Sequence, residues 1–357
     1  MSLTDPIRYS PEVEQVQPDE GETIQGLNQA FDKILETTAN DYSHAVRSVH
    51  AKAHAILEGT LTVASGLPPE LAQGMFATPG KHTVFMRLST NAGDILPDAV
   101  SLPRGLALKV LDVVGERLPG ADGRTQDFVM VNGPVFQAKT ADKFLSNLKL
   151  LAGTTDRLEG TKQVMSSVLR GVSSVLETVG IESPKLQSLG GAPNADPLGE
   201  TYYSVTPFRY GEYVAKFSVA PVAPDLLALK GTTIDATSRP DAIREAMQAE
   251  MLGIDGVWEL RVQLCRDLEK QPVEDPTVKW DEEEAPFRTV ATITVPRQNS
   301  WDAAKVQAVN EEMHFSVWTG LTAHQPLGNI NRARQDTYRH SVQFREKFNG
   351  CPVHEPG

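Results

Sequence analysis

Apolar positions along the chain change period several times. From Ile24 they recur at Leu27, Phe31, Ile34 and Leu35, the spacing of one helix face. Between about 45 and 135 the pattern shortens to runs that predict strands over 55–63, 83–89, 105–113 and 127–131, separated by turn signals such as TPGKH and LPGADGR. Helical composition returns over 140–180 and ends in SPKLQSLGGAPNADPLG, which reads as a surface loop. Strands follow at 200–205, 212–219, 256–264 and 288–295, with an amphipathic helix over 241–252 among them. The acidic stretch 280–286 reads as a solvated turn, Ser300 as the N-cap of a helix over 302–312, and 329–348 as a polar helix. Strands this close, with no long helix between the early ones, favour antiparallel pairing. The expected fold class is α+β, an antiparallel β-barrel core with surrounding helices.

Length and composition narrow the picture. A chain of 357 residues allows one large domain or two; the pattern favours an extended arm and helix over 1–40 and a single domain over 41–350. Apolar residues at 40% and charged residues at 22% are ordinary for a soluble globular protein. No apolar run approaches the roughly 18 residues that would span a bilayer, and the N-terminus has no signal-peptide pattern. Two cysteines point to a reducing, cytoplasmic setting. A net charge of −12 argues against nucleic acid and anionic membranes as partners.

Three segments could carry chemistry. In NINRARQDTYRHSVQFR, read as a helix, Arg334 and Tyr338 lie about 40° apart and Arg345 returns to within about 20° of Arg334. A guanidinium beside a phenol favours the phenolate, a hard donor suited to ferric iron, and a second arginine can hold a carboxylate. The same face could equally be a solvated one. In HAVRSVHAKAH, an extended strand puts Ser48, His50, Lys52 and His54 on one face and Arg47 and Val49 on the other. His50 there could move a proton; a helical reading would instead make His50 and His54 two zinc ligands. In HTVFMRLSTNAGD, Val84, Met86 and Leu88 oppose Phe85, Arg87 and Ser89, and burying Arg87 calls for an anion. DFVMVNGPVF brings Asn132 to a turn at a strand end.

Together these segments resemble the catalase superfamily of haem proteins. RSVHAKAHAILEGTLTV is similar to the strand with the distal histidine, and MRLSTNAGD, LPRGLALKV and NGPVF follow as the next blocks in order. Arg334-x-x-x-Tyr338 matches the proximal-ligand motif. The resemblance implies a haem b buried between the barrel and the C-terminal helix, with Tyr338 as iron ligand and Arg334 as its charge partner. It implies His50 as the acid–base group, Ser89 as its support and Asn132 as the distal amide. Arg47, Arg87 and Arg345 would hold the propionates, and Phe144 would stack on the ring. At NGP the chain is one residue short of the family pattern.

The chain resembles the short catalase-related group and departs from full catalases at two positions. Leu102 replaces a channel aspartate and Asn91 a small apolar channel residue. The loss of a carboxylate favours an apolar organic or lipid hydroperoxide as substrate, with weak activity on hydrogen peroxide. A branch that isomerises fatty-acid hydroperoxides to allene oxides has threonine before the histidine; Val49 stands here. The expected activity is therefore a haem peroxidase. A hydroperoxide isomerase or lyase and a non-catalytic haem-binding barrel are the alternatives. The electron donor is open, and a homo-oligomer is compatible with the resemblance.

Overall fold

The computed structural model describes residues 4–155 and 194–356. Its strands are β1 (Ala53–Val63), β2 (Lys81–Thr90), β3 (Arg104–Val110), β4 (Gln126–Val131), β5 (Tyr202–Tyr203), β6 (Phe208–Tyr210), β7 (Tyr213–Pro221), β8 (Gly256–Leu264) and β9 (Phe287–Val295). They run antiparallel in the order β5-β4-β3-β2-β1-β9-β8-β7-β6. A second pairing, Tyr202 with Val219 and Tyr203 with Ser218, joins β5 to β7 and closes eight strands into a barrel, leaving β6 as an extra strand. Closure removes the free sheet edges that would otherwise template aggregation. The fold class expected from the sequence is the one observed.

Alternation decides what fills the barrel. Leu57, Met86, Leu108, Phe128, Phe217, Leu260 and Ile293 meet in the main core. Phe217 sits at its centre, edge-on to Phe128 at 4.8 Å and to Phe208 at 5.4 Å between ring centroids. Burying each such ring contributes about 1.5–3 kcal/mol. His324 lies among the same rings, and its Nε2 accepts from the Met75 N–H at 3.1 Å. It is a packed core histidine.

The helices are α1 (Glu20–Tyr42), α2 (Ala141–Thr155), α3 (Pro224–Ala228), α4 (Ala242–Met251), α5 (Ala303–Lys305), which widens into a π-helical stretch over Val306–Glu311, and α6 (Asn329–Asn349). Leu27 and Phe31 of α1, Ala141 and Leu145 of α2, and Ile330 and Ala333 of α6 form a second core outside the barrel. This three-helix layer is what encloses the site described below. Among the described residues no helix is long and apolar enough to cross a membrane.

Several local expectations change. The cap of α5 is Asp302, whose carboxylate accepts from the Ala304 and Lys305 N–H groups, because the helix begins at 303; Ser300 is buried two residues too early to cap it. Strand β6 went unread, being only three residues long. The helical expectation beyond 155 and the first part of the loop over 183–199 lie outside the described residues. The end of that loop is buried, with Asp196 and Leu198 packed in a 3₁₀ turn. In 280–286 the acidic residues are exposed as expected, but Trp280 and Ala285 on either side are buried.

The N-terminal arm and α1 are tied to α6 through Arg332, which bonds Glu20 at 2.7 Å, Glu274 at 3.1 Å and also Glu14. Burial alone would raise the pKa of Glu274, but hydrogen bonds from Arg332, the Gln15 N–H and Asn329 hold it below the ordinary glutamate value. A depressed carboxylate stabilises the fold above its unfolded pKa, and that contribution is lost as pH falls through the folded value. Arg332→Leu should therefore cost about 2 kcal/mol at pH 7, since it leaves three partly buried carboxylates together. Thermal unfolding should show that loss shrinking below about pH 4.5.

Candidate active site

The segment before β1 is not a strand. Residues 45–51 form a bend in which His50 takes a left-handed conformation, φ +53°. The bend is fastened on two sides. Towards α6, the Asn349 side chain accepts from the Ala45 N–H at 2.7 Å and donates to the Ala45 carbonyl at 3.0 Å, and the Ser48 N–H donates to Ser341 Oγ at 3.2 Å. Towards the barrel, Arg87 Nη2 donates to the carbonyls of His50 at 2.9 Å and Ala51 at 3.2 Å. The expected two-faced alternation fails for this reason, and Arg47, Ser48, Val49 and His50 all border one cavity. The site lies on the outer face of the barrel wall, under α1, α2 and α6.

His50 stands over the barrel wall at Gly105. Ser89 on β2 pairs with Gly105 on β3, and a Cβ at Gly105 would run into the imidazole. His50 Nδ1 is 3.1 Å from Ser89 Oγ, whose own contact is the Gly105 carbonyl at 3.5 Å. With the serine hydrogen on that carbonyl, Nδ1 is the protonated nitrogen and Nε2 is an acceptor with no partner among the described residues. Burial first, then the charges of Arg87 and Arg334, push the His50 pKa down to about 3. The ring is neutral near neutral pH and able to accept a proton.

Helix α6 supplies the phenol. Arg334 Nε and Nη2 donate to Tyr338 Oη at 3.2 and 3.0 Å, and Arg334 Nη1 donates to Asn331 Oδ1 at 3.2 Å. Asn331 is fully buried and donates to the Pro207 and Leu327 carbonyls, so the pair is anchored to the barrel. The i, i+4 spacing read from the sequence is thus a real contact. His50 and Tyr338, from different elements, line the same cavity.

Arg47, Arg87 and Arg345 gather at one end of the site, around the π-helical stretch. Arg47 donates to the Asn310 carbonyl at 2.6 Å and the Met313 carbonyl at 2.9 Å. Arg87 Nε donates to Asn310 Oδ1 at 2.8 Å, and Arg345 Nη2 to the Glu311 carbonyl at 2.7 Å. These partners are neutral oxygens, and the buried Nε of Arg345 has none among the described residues. The Glu311 carboxylate is turned to His44 at 3.0 Å. Burial and the neighbouring guanidiniums lower the pKa of Arg47 strongly, and burial and Arg345 push Arg87 down to about 9. None of the three bonds a carboxylate directly, but the charge of Glu311 acts on all of them and favours their protonated forms. Insertions of π-helix often mark functional sites, and nothing in the sequence pattern signalled this one.

The main cavity holds about 530 Å³, within the range of about 300–1,000 Å³ typical of small-molecule sites. Phe144 on α2 lines it and packs on Phe136 at 5.6 Å between centroids. Leu102 and Asn91 also border it, where the sequence departs from the catalase pattern. Asn132 lines the wall, with Oδ1 accepting from the Arg104 N–H at 2.9 Å and Nδ2 donating to Glu200 at 3.1 Å. His54 is elsewhere: it is buried with Nε2 against Thr90 Oγ1 at 2.7 Å, beside the Lys52–Asp98 ion pair. The two-histidine zinc arrangement is not formed, and no group of three metal-ligating side chains occurs among the described residues. Glu200, Asn310 and His314, which all border the site or its arginines, were not singled out from the sequence; Glu200 and His314 lie on short loops, which carry no periodic signal, and Asn310 lies in the unsignalled π-helical stretch.

No protein-family model and no curated protein matches this chain. Solved structures do. A fungal catalase aligns over 90% of this chain and 64% of its own, at 17% identity and a TM-score of 0.60. Catalase A from Saccharomyces cerevisiae aligns over 99% of this chain and 70% of its own, at 18% identity and a TM-score of 0.60. The chain therefore spans less than two thirds of the first of these catalases. What the likeness establishes is the architecture: this is a catalase-like fold.

Proposed function

We propose that the protein is a haem-dependent peroxidase of the short catalase-related kind, acting on organic or lipid hydroperoxides. The observation that carries the reading is the Tyr338 hydroxyl, held by two hydrogen bonds from Arg334 in the cavity that His50 also lines. The residues fit a haem. Tyr338 offers an oxygen ligand, the arginine trio with its unpartnered Nε suits two propionates, and Phe144 and Val49 offer apolar surface for a ring. Bound there, a haem iron would supply the redox chemistry that cleaves a peroxide O–O bond.

The chain's own residues place and protonate. The neutral His50, whose Nε2 has no partner among the described residues, takes the hydroperoxide proton and returns it to the leaving oxygen. Ser89 fixes the ring's tautomer. Asn132 donates to the oxygen on which charge develops. Around the approach, Leu102, Pro103, Val131 and Val205 favour an apolar substrate over hydrogen peroxide. Val49 stands where the isomerising branch has threonine, which favours peroxidase over isomerase chemistry.

Purified protein supplied with haemin should turn brown, and Tyr338→Phe should lose that pigment on gel filtration; full retention with an unchanged spectrum would refute the ligand assignment. In His50→Ala, haem content should persist while turnover of cumene hydroperoxide with a phenolic donor falls by about 10²–10⁴-fold. Rearranged product without donor consumption would instead mark an isomerase, and no turnover of any peroxide a binding protein. Arg345→Met removes one of three crowded cations. It should leave the thermal midpoint of the haem-free chain equal or higher, while haemin binding weakens by about tenfold, the scale of one charge-assisted hydrogen bond.

A further inference from the structure

Glu200 stands outside every role given so far. It lies just before β5 and lines the main cavity, where it is the sole carboxylate among the described residues. Its Oε2 accepts from Asn132 Nδ2 at 3.1 Å. The other end of the Asn132 amide is equally constrained, because Oδ1 faces the Arg104 N–H at 2.9 Å. A backbone N–H can only donate and a carboxylate can only accept, so the amide has one allowed orientation. Main-chain contacts add to the hold, since the Asn132 N–H donates to the Arg104 carbonyl at 3.1 Å. The second hydrogen on Nδ2 has no partner among the described residues.

We propose that Glu200 is a positioning residue: it locks the Asn132 amide so that one N–H stays directed to the cavity as a donor to bound peroxide. The inference rests on the peroxidase reading for its consequence, but not for its geometry. It also revises what Leu102 implies. The cavity that lacks a carboxylate at residue 102 has one at residue 200, about a hundred positions away in sequence. Without it, the amide would be held at its oxygen end alone, and the NH₂ group would turn towards whatever acceptor came nearest. The effect is one of orientation, so the acceptor oxygen of a glutamine should serve in place of the carboxylate.

The test compares Glu200→Gln with Glu200→Leu in two measurements. The first needs no haem: the side-chain amide signals of Asn132 in the ¹⁵N–¹H spectrum, identified by their loss in Asn132→Asp. The two protons should be well separated and slow to exchange in the wild type and in Glu200→Gln, and should become solvent-like in Glu200→Leu. If Glu200→Leu leaves them unchanged, Glu200 does not hold the amide and the proposal is wrong. The second measurement uses haem-loaded protein. There kcat/KM for cumene hydroperoxide should fall by about tenfold or more in Glu200→Leu, approaching Asn132→Leu, and should be largely retained in Glu200→Gln. Equal losses in both variants would show that charge matters and orientation does not, which also overturns it. A colourless protein would sink the peroxidase reading, yet the amide spectrum would still decide this inference.

Discussion

The site depends on a short bend being held in a conformation it would not choose. His50 occupies the left-handed region, which costs a residue with a side chain of order 1–3 kcal/mol at such positions. The offsetting bonds come from far away in sequence: Asn349 and Ser341 on α6, and the buried guanidinium of Arg87 on β2. Because α6 also carries Tyr338, the same contacts that fix the histidine fix its distance from the phenol. Barrel, bend and helix are therefore one mechanical unit around the cavity.

Arg87 links this geometry to the electrostatics. It is almost fully buried, and its role on the bend could be filled only by a donor with several forked N–H groups, which is why lysine would be a poor substitute. Its charge lies beside those of Arg47 and Arg345, and the Glu311 carboxylate offsets all three in part. Burial still lowers the pKa of each of the three, and repulsion among them adds to this at Arg47 and Arg87. Arg87 also bears on His50, since burial and the charges of Arg87 and Arg334 keep its ring neutral and available as a base.

The opposite wall is built from polar residues that restrain one another. Arg104 contributes its backbone to Asn132 and its guanidinium to Thr90 and Asn194, at 2.7 and 2.8 Å. Apolar residues fill the space between. The result is a cavity in which Asn132, Arg334 and Tyr338 have their orientations set by hydrogen bonds, as selectivity in a largely apolar site requires.

Much of this was legible in the sequence wherever one interaction repeats along the chain. Turn-bounded runs and, at 82–94, two-residue alternation marked the strands, the 3.6-residue period marked α1 and helical composition α6, and the i, i+4 spacing of Arg334 and Tyr338 foretold a bond, because each rests on local sequence alone. The motif order also pointed to a catalase-like fold. What the tertiary structure decided lies where local rules are overruled by distant partners. His50 left the strand because α6 and Arg87 bond its bend; Arg47 turned to the site with it. Arg87 found carbonyls and an amide where an anion was expected. The π-helical stretch that receives the arginines, and Glu200 beside Asn132, join residues far apart in the chain. A sequence displays neighbours along the backbone, whereas these contacts exist only once the barrel has closed and the helices have packed on its outer wall.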